Sequence, residues 1–227
     1  MRSSLVLLGL ALTGCTSIGG LSVKPDVTAY DFGPSRTLHV CVLRDPDVSV
    51  ARVRDLVATW RQELAPLEIQ VVIPWVREWE RPAFTVRGIA ESLAKIPLDV
   101  PCDRLLAFVG RHAGDALYSL LSLVLPAPEV LGWVDNVTMT HGLVVAEWTA
   151  SLNQAVQGGP EESIRHEGYH LLGCGHATWA ACYTRVAELK RLSTVEWFVS
   201  RGWNGVFFRS REAVNRALER AVWAVKD

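Results

Sequence analysis

Three of the chain's six histidines fall within eleven residues, His166-Glu167-Gly168-Tyr169-His170-Leu171-Leu172-Gly173-Cys174-Gly175-His176. Histidines four apart lie one turn apart on the same face of a helix, so both imidazoles can reach one ion. Glu167 sits about 100° further round, close enough to touch a water on that ion without being a ligand. On a straight helix His176 would point away, but Gly173 lets the backbone turn sharply and return it to the same point. Three nitrogen ligands with a fourth position left to water is the open arrangement of a catalytic zinc site. The chemistry this implies is metal-assisted hydrolysis, with His166, His170 and His176 on Zn2+ and Glu167 as general base.

The elements that must position these residues can be read from periodicity. Gly158-Gly159-Pro160 breaks the chain, Pro160 suits a first helical turn, and Glu161 and Glu162 complement its dipole, so a helix is expected to about Leu172. Upstream, residues 37 to 43 read as a strand and Ser49 as the N-cap of a helix through Val53, Leu56, Val57, Trp60 and Leu64, closed by Pro66. Glu68 to Ile73 reads as a second strand, Val86 to Ile96 as a second helix and Arg104 to Val109 as a third strand. Residues 114 to 125 fit helix or strand equally. Val130 to Val134 and Leu143 to Trp148 read as two further strands joined through Asp135-Asn136, and Ala213 to Val225 carries a helical stripe. This alternation predicts an α/β (α+β) fold, a twisted mixed sheet with covering helices and a mostly helical C-terminal lobe.

The first residues read as a targeting segment. Arg2 precedes an apolar run, Leu5 to Leu12, too short to span a membrane, which takes roughly 20 residues. Leu12-Thr13-Gly14-Cys15 resembles a bacterial lipobox, which implies a signal peptide over 1–14, lipidation at Cys15 and a tether over 15–36, with the remaining domain at 37–227. The expected location is extracytoplasmic, lipid-anchored to a bacterial membrane. There disulfides are permitted. Cys41, Cys102, Cys174 and Cys182 allow three pairings; Cys41–Cys102 and Cys174–Cys182 are favoured because each joins segments expected to be neighbours. Free thiols are the alternative for the second pair, and Cys174 could then compete for the metal.

Composition sets outer limits. With 49% hydrophobic residues and 21% charged over 227 residues, the chain has the apolar mass for a sizeable core. A net charge of -1 leaves no basic field for nucleic acid. His39, His112 and His141 read as neither ligand nor catalyst, Glu147 as strand surface, and the arginines between 44 and 61 as one solvated helix face. Trp75 and Trp79 fit a substrate shelf or, more simply, the core's edge.

The spacing H-E-x-x-H-x-x-G-x-x-H, matched at every defining position by residues 166 to 176, resembles the signature of metzincin-clan zinc metallopeptidases. The resemblance implies an endopeptidase; with the expected location, its substrates would be envelope or extracytoplasmic proteins or peptides, and a monomer is expected. The resemblance also implies an antiparallel edge strand that binds substrate backbone, near Val130 to Val134 here. The clan's methionine turn has no methionine to form it, since Met1 and Met139 both lie upstream. That turn is expected around Cys182-Tyr183 or near Leu189 to Leu192. Tyr183 is then a candidate to stabilise the oxyanion, the alternative being a packed core tyrosine. A non-catalytic zinc-binding lipoprotein serving partner binding or envelope structure is the competing reading; Glu167 weighs against it, because a structural site has no use for that carboxylate.

Overall fold

Strand β1 (Arg36–Arg44) buries Leu38, Val40 and Val42 in one core cluster and Cys41 and Leu43 in another, so the sheet is covered on both faces. The computed structural model describes residues 24–83, 85–110, 131–148, 158–192 and 210–224, with 221–224 as backbone only. Around β1 the sheet runs β2 (Ile69–Val72), β1, β4 (Arg104–Val109), β6 (His141–Val145) and β5 (Gly132–Val134). All pairings are parallel except β5 with β6. A short strand, β3 (Val76–Glu78), pairs with the second half of β1. Pro74, which has no N–H to give a ladder, separates β2 from β3. The mixed α/β class expected from the alternation is what the structure has.

On one face lie α1 (Val50–Leu64), α3 (Pro160–Leu171) and α4 (Trp179–Leu192). Helix α1 starts where Ser49 Oγ accepts from the Arg52 amide, and it buries Val53, Leu56, Val57, Trp60 and Leu64. Each such side chain contributes about 1.5–3 kcal/mol on leaving water. On the other face lie α2 (Val86–Leu93) and α5 (Arg211–Ala224), whose Ile89, Leu93, Val214 and Leu218 join Leu105, Ala107 and Leu143. The Cys41–Cys102 disulfide lies in this second cluster, and Arg211 fastens α5 to the Cys102 carbonyl at 2.7 Å.

Several expectations are corrected. Residues 24–35, expected as tether, pack onto the domain. Phe32 enters the core, Tyr30 meets Tyr183 edge-on at 5.3 Å, and Lys24 pairs with Glu63 at 2.6 Å while lying over Trp179. Burial of Phe32 and packing of Tyr30 on Tyr183 offset part of the entropy lost on ordering the segment. Cys182-Tyr183 and Leu189 to Leu192, the expected places for a turn, lie inside α4. Thr178 starts that helix by accepting from the Ala181 amide, and Trp179, Cys182, Val186 and Leu189 recur at helical spacing. The arginines are not one solvated face: Arg44 donates to the Val48 carbonyl, Arg61 to that of Val71, and Arg52 to that of Ala146. Strand β6 starts at His141, earlier than expected, because Asp135 accepts from the amides of Val137, Thr138, Thr140 and His141 and fixes the hairpin loop. Trp75 and Trp79 flank β3, at the sheet edge opposite β5, and pack against the second cluster, as the simpler core-edge reading has it. Cys15, His112, Val130 and residues 114 to 125 lie outside the described residues.

Candidate metal centre

Helix α3 begins with Pro160 in its first turn beside Glu161 and Glu162, as its sequence demands. Arg52 of α1 holds Glu161 at 2.7 Å and, through its Nε, the Ala146 carbonyl just past β6. Midway, Gly168 faces the indole of Trp60, which is wholly buried; a Cβ at that position would collide with Trp60 Nε1. The helix therefore crosses α1 at the one residue with no side chain to spare.

The helix ends in a Schellman turn. Gly173 adopts φ +89°, its amide donates to the His170 carbonyl at 2.8 Å, and the Cys174 amide donates to that of Tyr169 at 3.1 Å. The Leu171 carbonyl, which has no helical partner, accepts from Arg104 Nε at 2.6 Å. Arg104 is buried at the start of β4, and burial, partly offset by Asp103 and Asp135, lowers its guanidinium to about 9. A cation at a helix C-terminus complements the dipole there. The sharp turn expected at Gly173 is thus formed, and it is fixed from the sheet side.

Beyond that turn the three histidines meet. Each offers a ligand atom, and these atoms lie within 4.8 Å of one another. Ring centroids stand 4.6 Å apart for His166 and His170, 4.5 Å for His170 and His176, and 5.7 Å for His166 and His176. His170 Nδ1 lies 2.6 Å from the Cys174 carbonyl, which can only accept, so Nδ1 carries the proton and Nε2 presents its lone pair. That Nε2 faces His166 Nε2 at 3.1 Å. Nitrogens at about 2.0–2.1 Å from a tetrahedral zinc stand roughly 3.3 Å apart, so this pair is already at ligand spacing. Burial lowers the pKa of His170, the nearby His176 adds to this, and the Cys174 bond opposes it; the neutral form that a metal needs is favoured. The cluster fits a metal ion, and an all-imidazole donor set suits zinc among other transition ions.

Glu167 is buried against the edge of the sheet. A Cβ on Gly132 of β5 would stand 2.5 Å from Glu167 Cγ and 2.7 Å from Oε1, so the strand backbone touches the glutamate side chain directly. Burial pushes this carboxyl up to about 8. A cation among the adjacent histidines acts in the opposite direction.

No protein-family model matches this chain, and no curated protein matches it. The site therefore rests on its own geometry.

The four remaining cysteines form the two favoured disulfides, Cys41–Cys102 and Cys174–Cys182, so Cys174 is not a competing ligand. Tyr183 is buried among Tyr30, Phe32, Tyr169 and Trp179, and among the described residues its ring contacts include none of the three histidines. Tyr169, one of its ring neighbours, donates to Glu63 at 2.5 Å. That is the core-tyrosine alternative. His141 is wholly buried between Thr140 and the Ile96 carbonyl, and His39 pairs with Asp103; neither joins the metal cluster. Sequence reasoning missed Gly132, Gly168 and Arg104. A glycine inside a strand or helix does signal close approach by a neighbour, but nothing marks an arginine opening an apolar strand as a helix-end partner.

Proposed function

We propose that this chain is a zinc-dependent endopeptidase of metzincin type, cutting proteins or peptides outside the cytoplasm. The observation that carries the reading is the convergence of His166, His170 and His176 on one point, with Glu167 between the first two and turned to the sheet edge. Zinc bound there supplies a Lewis acid for the scissile carbonyl and acidifies water. Glu167 takes the proton of the attacking water and hands it to the leaving amine, work worth about 10²–10⁴-fold.

The edge strand supports a peptide substrate. In the β5–β6 ladder the Val145 amide donates to Leu131 and the Asp135 amide to His141. Alternation then makes Trp133 the residue bonded to Leu143 and turns the N–H and C=O of Gly132 and Val134 away from β6. An extended peptide added there gains main-chain hydrogen bonds beside Glu167.

Two disulfides favour an oxidising compartment. Among the described residues no helix is long and apolar enough to cross a membrane, and we assign membrane attachment to acyl chains on Cys15.

Zinc quantitation beside a peptide-library cleavage assay, with wild type and Glu167→Ala, tests the reading. Both proteins should hold zinc and only wild type should cleave. Equal cleavage removes Glu167 as the base. Zinc in both proteins with cleavage by neither favours the non-catalytic module.

A further inference from the structure

His166 and His170 ride on one helix, whose geometry sets their separation. His176 does not. It is exposed, on a loop with Gly173 and Gly175 on either side of Cys174, and a Cβ on Gly175 would meet nothing within 4 Å. What holds this arm is Cys174. It is buried, its amide closes the helix-ending turn on Tyr169, its carbonyl accepts the hydrogen bond from His170 Nδ1, and its sulfur is bonded to Cys182 on α4. One residue thus orients the second ligand and anchors the chain that carries the third.

We infer that the Cys174–Cys182 disulfide is a positioning element of the metal centre, and that high zinc affinity depends on it. This rests on the zinc site proposed above. With the bond absent, two glycines give the arm wide backbone freedom that metal binding must then remove. The Cys174 carbonyl would also be free to leave His170. Losing an outer partner of a ligating histidine lowers metal affinity about 10–100-fold. The second disulfide is a built-in control, because Cys41–Cys102 lies on the opposite face of the sheet.

The test measures zinc affinity by competition with a chromophoric chelator, together with the visible spectrum of the Co2+-loaded protein. Wild type is compared with Cys174→Ala/Cys182→Ala and with Cys41→Ala/Cys102→Ala. The first pair should bind zinc 10–100-fold more weakly, with a changed cobalt spectrum. The second should keep affinity within about threefold and leave the spectrum unaltered. Adding Gly175→Ala to the first pair should recover part of the affinity, since alanine stiffens the arm without a clash. Wild-type affinity in the first pair overturns the inference, as does an equal loss in both pairs. So does a first pair that stays unfolded with saturating zinc, because the bond then serves the fold rather than the site. A wild type that binds no zinc instead removes the metal centre itself.

Discussion

Gly132 and Glu167 share one space. A Cβ on the glycine would stand 2.5 Å from the glutamate Cγ and 2.9 Å from Cδ, atoms too near the helix backbone to swing aside cheaply. The strand that ends the sheet among the described residues and the carboxylate assigned to proton transfer are therefore set against each other by a missing side chain. Gly132→Ala should push Glu167 out of place and lower kcat/KM for peptide cleavage by about 10²–10⁴-fold, the worth of a general base. Zinc content should stay at the wild-type level; a variant that cleaves as well as wild type removes this role for Gly132.

Gly168 shows the same economy on the other side of the helix. Alanine there gains about 1 kcal/mol of helix propensity but drives a methyl into the buried indole of Trp60. Overpacking a filled core costs about 1–3 kcal/mol and should win. Urea denaturation of Gly168→Ala should show the loss, and a midpoint at or above wild type would mean that α1 and α3 can separate freely.

His141 makes stability depend on pH. Burial lowers its pKa below the ordinary 6.5, outweighing the Ile96 bond and Asp135, which act the other way, while Arg104 adds to the lowering. Between that lowered value and 6.5 the unfolded chain binds the proton and the folded one does not, so stability rises with pH through this window and is lost as pH falls. Metal-free protein should lose stability from pH 7 to 5, this group supplying at most about 1.4 kcal/mol per pH unit. His141→Gln should flatten the slope; an unchanged slope assigns it to other groups.

The segment before β1 belongs to the fold. Phe32 is 5% exposed and packs with Tyr30 and Tyr183. Phe32→Ala should cost about 3 kcal/mol in chemical denaturation. A change below about 0.5 kcal/mol would return residues 24–35 to the status of a tether.

Local periodicity and turn chemistry were enough for one part of this structure. The i, i+4 histidines, Glu167 between them, the stop at Gly173 and the helix start at Ser49 each depend on residues within one or two turns, and all are found where they were read. The strands β1, β2 and β4 follow for the same reason, being apolar runs between clear turn signals. The rest came from long-range packing. That Arg104 reaches the Leu171 carbonyl, that Gly132 gives room to Glu167 and that Tyr183 faces Tyr30 are matters of which surfaces meet. Those partners lie from 35 to 153 residues apart in the chain, and no period or cap signal reaches so far. Helix α4 carries its apolar residues at helical spacing, but the resemblance puts a turn there, and the packing of Trp179, Cys182 and Val186 into the core shows that the helical period governs.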